Sequence, residues 1–200
     1  MNKKITTLIL ALIVIISGSV VAFNFRPHAV SKKINTRISS ILVKLSPEEI
    51  TKQSDVVIVG TVKDLKTLKT KSNFWSKDDE DIVTNANVEV EKYLFNPKNL
   101  SGLEIIVQTI GGTIGNETMF AEDEPKLEKG QRVIVFLRQA KNGAYIVFGG
   151  PQGAYTINGN NVAVGEKEQN VFSDVFGKQM ALDELEKQIS TIVSSSEQQK

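Results

Sequence analysis

Cysteine is absent from this 200-residue chain. That absence removes disulfides, thiol nucleophiles, lipobox acylation and zinc–thiolate centres together. Histidine is almost absent: the single one, His28, sits just behind a hydrophobic run. Ser-His-Asp chemistry and histidine metal clusters therefore have no residues to use in the folded part. Acid is missing from residues 1–45, which instead carry Lys3, Lys4, Arg26, Lys32, Lys33, Arg37 and Lys44. The net charge of +1 thus conceals a remainder that is acidic on balance. A phosphate backbone is gripped by Lys and Arg, so nucleic acid is not expected as a partner.

Between Lys4 and Arg26 no charged residue interrupts the sequence, and Ile5 to Phe25 is dominated by Ile, Leu, Val and Ala. As a helix this run would span roughly 31 Å, close to the hydrocarbon thickness of a bilayer. Two readings stay open for residues 1–25: a signal peptide, cut after Ser17-Gly18-Ser19 or after Val20-Val21-Ala22, or a signal anchor that stays in the membrane. Either one delivers the rest of the chain to the outer side of the cytoplasmic membrane. Residues 26–45 read as a basic juxtamembrane linker. Its apolar residues Ile34, Ile38, Ile41, Leu42 and Leu45 have helical spacing, which suits a linker helix or a helix lying on anionic head groups.

A folded domain is expected over 46–193. Ser46-Pro47-Glu48-Glu49 carries a serine cap, a proline at the first helical position and a glutamate three after the cap, so a short helix should run to about Gln53. Val56 to Val62 reads as a buried strand. Asn85 to Leu94 alternates, with Ala86, Val88, Val90 and Leu94 on one face, as a half-exposed strand does. Further strands follow at Leu103–Ile110, Arg132–Arg138, Tyr145–Phe148, Ala154–Ile157 and Val162–Val164, with Asn142-Gly143 and Asn158-Gly159 as hairpin signals. From Met180 the period changes, and Leu182, Leu185, Ile189 and Ile192 mark one face of a closing amphipathic helix. Residues 194–200 read as a polar, disordered tail. The fold class is mainly β: a small, closed or partly open barrel between a short helix and a C-terminal helix, preceded by the hydrophobic N-terminal helix.

Ser54-Asp55-Val56-Val57-Ile58-Val59-Gly60-Thr61-Val62 resembles the opening strand of netrin-like domains and tissue inhibitors of metalloproteinases. Tyr93-Leu94-Phe95 before Gly102, the strand Ile105–Thr109 and Leu127 to Leu137 match as well, as does Gly149-Gly150-Pro151-Gln152-Gly153. The string is similar to exported bacterial and archaeal proteins carrying such domains. The resemblance covers roughly residues 46–165 and implies an OB-fold barrel. The inhibitors chelate zinc through an N-terminal cysteine; no residue matches it, so protease inhibition does not carry over.

Lys66 to Asp81 reads as a long loop, and long loops often carry function. Phe74 and Trp75 within it, the latter the only tryptophan, form the candidate partner-binding site, set against a plainer reading in which both fold back on the barrel. Asp78-Asp79-Glu80-Asp81 lacks the spacing of a dedicated calcium loop and reads as a solvated charge run, as does Glu122-Asp123-Glu124. Gly111-Gly112-Thr113-Ile114-Gly115 has no Gly-Lys-Ser/Thr ending and reads as a turn leaving a strand. Tyr145 and Tyr155 read as barrel residues. No catalytic residue, metal ligand or cofactor is assigned. The expected function is a non-catalytic extracytoplasmic binding or accessory module of a bacterial envelope, with the membrane, through the N-terminal segment, and an envelope protein or polysaccharide as partners. The alternatives are an envelope hydrolase, or a regulator of an envelope protease or polysaccharide-processing system.

Overall fold

The computed structural model describes residues 33–39, 42–71, 80–163, 175–176 and 179–197. The hydrophobic run Ile5 to Phe25 lies outside them; among the described residues no helix is long and apolar enough to cross a membrane.

The described chain is mainly β, with two helices. Helix α1 (Pro47–Gln53) starts where the capping box requires. Glu49 N–H donates to Ser46 Oγ at 3.2 Å, and Ser46 N–H donates to the Glu49 carboxylate at 2.8 Å. Each satisfies a donor that the helix itself cannot. Before α1, Ile34–Ile38 forms a strand, β1, not the helix its spacing suggests. It pairs in parallel with β6 (Glu117–Ala121). An interval of four residues keeps side chains on one face in a strand as well as in a helix, and the pairing partner decided between them.

The two longest strands are β2 (Val56–Lys71) and β3 (Glu80–Phe95). They pair antiparallel to their far ends, Lys71 opposite Glu80, so most of the expected Lys66–Asp81 loop is strand instead. Cross-strand pairs sustain this extension: Lys66 faces Asn85, Thr67 faces Thr84 and Thr70 faces Asp81. Only residues 72–79 separate the strands, and Phe74 and Trp75 lie among them, outside the described residues.

β4 (Glu104–Ile110) pairs with β3 and then, in parallel, with β8 (Tyr145–Val147). β7 (Arg132–Gln139) pairs with both β8 and β2. The order β2-β3-β4-β8-β7 therefore returns to β2, giving a ring-like sheet. Through Val133–Val135 β7 also pairs with β9 (Ala154–Asn158), and the sheet continues through β10 (Asn161–Ala163) to β11 (Gln179–Ala181). A smaller sheet, β1-β6-β5, includes the hairpin of β5 (Gly112–Ile114) and β6, which the strand pattern of the sequence did not announce.

Two hydrophobic cores use opposite faces of the same strands. Val56, Ile58, Ala86, Val88, Ile105, Val107, Val135 and Leu137 fill the inside of the ring. Val57, Val59, Ile134, Phe136 and Tyr155 face outward and are covered by Ile50 of α1 and by Leu185 and Ile189 of α2 (Leu182–Glu197). β2 is thus buried on both sides from Val56 to Gly60, which accounts for its unbroken apolar sequence. Phe136, Tyr155 and Phe176 form an aromatic trio in the outer core, with centroids 5.6 to 6.3 Å apart. Helix α2 runs on to Glu197, past the expected start of a disordered tail at residue 194.

Candidate functional site

Helix α2 meets β3 near its C-terminal end, where Lys92 pairs with Glu186, while strand and turn residues line the outer face around Asn85 and Gln108. Ala86 and Val88 of β3 point inward, as do Ile105 and Val107 of β4. Asp81, Val83, Asn85 and Asn87 consequently turn outward, as do Ile106, Gln108 and Ile110. Register places Val83 opposite Ile110, Asn85 opposite Gln108 and Asn87 opposite Ile106. Gln108 Nε2 donates to Asn85 Oδ1 at 2.9 Å, and Asn142 Nδ2 donates to Gln108 Oε1 at 3.3 Å. This amide chain crosses from β3 through β4 to the turn between β7 and β8. On one side of it a shallow hollow lies over Asp64, Lys66, Leu68, Asn87, Glu104 and the half-exposed Ile106.

On the other side is a cleft of about 260 Å³. Val83, Ile110, Ile146 and Val147 give it apolar walls, with hydroxyls from Thr70 and Thr109, amides from Gln108 and Asn142, and Lys141 at the exposed hairpin turn. Asp81 and Glu124 both line it. Asp81 is only 3% exposed, and its side chain has no hydrogen bond or ion pair among the described residues. Glu124 is largely enclosed between this cleft and a neighbouring cavity of about 280 Å³. Burial pushes its carboxyl up to about 7, against a hydrogen bond donated by the Ile110 backbone N–H and with some help from the charge of Asp123.

The two acidic segments thus meet, and local chemistry explains why. Lys69 of β2 reaches Glu117 of β6 at 2.7 Å and Glu80 of β3 at 3.9 Å, tying the long hairpin to the small sheet. Arg37 of β1 pairs with Glu122 at 2.8 Å, and Glu122 N–H donates to the Ile38 carbonyl at 3.1 Å. These contacts fix the turn after β6, from which Glu124 points inward beside the buried Pro125. Gly111 and Gly112 complete the corner with φ of +113° and +138°. A Cβ on Gly112 would stand 2.5 Å from Thr67 Cγ2, and Thr84 Oγ1 donates to the Gly111 carbonyl at 2.8 Å. The glycine segment is packed against the hairpin, as a turn out of β4 should be.

Reading both acidic segments as solvated overlooks this. Glu122 is exposed and paired, whereas Asp81 is buried and Glu124 is partly buried in the cleft wall. Each borders an apolar stretch, Ile82-Val83 and Pro125, and that boundary was the available signal. Asp78 and Asp79 lie outside the described residues. Among the described residues no group of three or more His, Asp or Glu side chains is placed to hold a metal ion. Tyr155 belongs to the outer core, accepting a hydrogen bond from Phe176 N–H at 3.4 Å, and Tyr145 packs against the ring interior.

A carboxyl that titrates near neutrality in the wall of a cleft that a second acidic side chain also lines is suited to binding a cation or to moving a proton. The chain matches none of the protein families it was compared with. No curated protein matches it either.

Proposed function

We propose that this chain is a non-catalytic, extracytoplasmic binding module of a bacterial envelope, built as an OB-like barrel, and that the cleft between β3, β4 and the β7–β8 turn is its binding site. The observation that carries the reading is the cleft itself, which sits against β3 and β4 with Asp81 and Glu124 in its wall. The strand order β2-β3-β4-β8-β7, with β4 and β8 parallel, supports the OB-like assignment and with it the netrin-like resemblance. OB folds bind on the face of their second and third strands, between the loop joining strands 1 and 2 and the loop joining strands 4 and 5. Here those strands are β3 and β4, and those loops are residues 72–79, with Phe74 and Trp75, and 140–144. The ligands that OB folds take include oligonucleotides, but this face offers Asp64, Asp81, Glu104 and Glu124 against Lys66 and Lys141, which disfavours a phosphate backbone. The uncharged run Ile5 to Phe25 supports delivery across the membrane and attachment there.

The test is affinity capture from intact envelopes with the full chain, alongside an N85A/Q108A variant and Trp75→Ala. Partners should be lost with the face variant. If both variants retain the same partners as the parent, the binding face is wrongly placed. N-terminal sequencing of the recovered protein reports whether residues 1–25 are removed.

One observation favours a second reading, an envelope hydrolase: Asp81 and Glu124 share a cleft, and Glu124 titrates at about 7, where a general acid works well. Turnover of purified cell-wall glycan or peptide that disappears in both Asp81→Asn and Glu124→Gln would establish it.

A further inference from the structure

We propose that the cleft takes a single organic cation, a primary ammonium group on an aliphatic stem, with Asp81 and Glu124 as its counter-charges. The proposal rests on the binding-face reading and names the chemistry that face selects. Four observations converge on it. The volume, about 260 Å³, is below the usual range for whole cofactors and drug-sized ligands, and suits one side chain or one small molecule. Asp81, 3% exposed and lining the cavity, has no partner for its carboxylate among the described residues. A ligand cation in the cleft would give that carboxylate a partner. The walls around the carboxylates include Val83, Ile110, Ile146 and Val147, which suit a methylene stem. Finally, Gln108 and Asn142 sit at the edge; their amide oxygens already accept from Asn142 Nδ2 and Ala144 N–H, and each keeps a second lone pair for an N–H donor.

The remaining charges near the site fit one cation. Lys141 stands exposed at the turn, where solvent screens it, while Asp81 and Glu124 are screened far less. Asp123, beside Glu124, adds negative charge, and Lys126 faces the neighbouring cavity. A cation entering next to Glu124 favours its ionised form, so the carboxyl proton leaves to solvent as the cation binds. Binding should accordingly tighten as pH rises from 6 to 8.

The experiment is calorimetric titration of the full chain with two amines, blocked lysine (Nα-acetyl-lysine methylamide) and cadaverine, and with the Nε-acetylated lysine as the uncharged control. The charged probes should bind, with proton release seen as a dependence of the heat on the buffer's ionisation enthalpy, and the acetylated control about tenfold more weakly or not at all. Asp81→Asn should weaken binding about tenfold at every pH, and Glu124→Gln should abolish the pH dependence. Tighter binding of blocked lysine points to a protein side chain, tighter binding of cadaverine to a free amine; both outcomes support the cation. Equal binding of charged and acetylated probes, or no binding of either amine, overturns it, and the parent chain alone is enough to decide this if a variant fails to fold. If the amines fail while envelope capture still depends on Asn85 and Gln108, the cation is wrong and the binding face stands. If capture ignores those residues too, both fall.

Discussion

Gln152, wholly buried, holds the backbone at Leu45: the Leu45 N–H donates to Gln152 Oε1 at 2.9 Å, and Gln152 Nε2 returns a bond to the Val43 carbonyl at 2.9 Å. The Gly149-Gly150-Pro151-Gln152-Gly153 segment is therefore a clamp that fixes where the chain enters the domain. The glycines make room for it, since a Cβ on Gly150 would lie 2.6 Å from the Asp123 carbonyl. Gln152→Leu should lower stability by about 1–3 kcal/mol, because both partners lose a bond while the site stays filled. Urea denaturation measures the loss, and hydrogen exchange should accelerate at the Leu45 amide. An unchanged exchange rate there would show that the clamp does not hold that segment.

Glu124 makes stability depend on pH in a definite direction. Its carboxyl titrates at about 7 in the folded chain, against 4.5 for an ordinary glutamate. Between those values the folded state binds more protons than the unfolded one, so stability falls as pH rises. The loss should reach roughly 3 kcal/mol by pH 8. Glu124→Gln, which keeps an acceptor for Ile110 N–H, should flatten this slope and exceed the parent in stability at pH 8. Denaturant midpoints from pH 4 to 8 check it; parallel curves for the two proteins would refute it.

Gly60 sits at a register shift between β2 and β3. A Cβ there would stand 2.6 Å from the Glu89 carbonyl oxygen and 2.7 Å from Val88 Cγ1. Gly60→Ala should cost about 1–3 kcal/mol by forcing the strands apart. Thermal unfolding measures the cost, and a neutral result would mean that the bulge is soft.

Thr51 is fully buried in α1, and its hydroxyl finds no hydrogen-bond partner among the described residues. Thr51→Val keeps the shape and removes the orphaned group, so it should stabilise the chain by about 1 kcal/mol. A destabilised variant would point to a water or partner bound at that hydroxyl.

Local chemistry made much of the fold legible. The Ser46 cap, the turns at Asn142-Gly143 and Asn158-Gly159 and the alternation through Ala86 and Val88 each act over a few residues, and each element lies where those signals put it. What was not legible depends on pairing across the chain. Lys66 to Lys71 is a polar strand because β3 lies beside it, and Ile34–Ile38 is a strand because β6 does. The site is non-local for the same reason. Asp81 alternates outward along β3, yet it is buried and lines a cleft with residues of the β7–β8 turn and of the segment after β6. Phe74 and Trp75 were the conspicuous residues in sequence; the carboxylates were hidden by the solvated acids beside them.

Ring closure also governs how a nascent chain behaves. Until β7 and β8 have been synthesised, β2 and β4 each present a bare edge, and the β2–β3 hairpin is made of the two longest strands of the described residues. Such edges template pairing with other chains, and closure over so large a separation is slow. Molecules halted before Val147 should therefore be the aggregation-prone ones, and a holdase that shields extended β-hairpins would matter more to the yield of this protein than one that waits for helices.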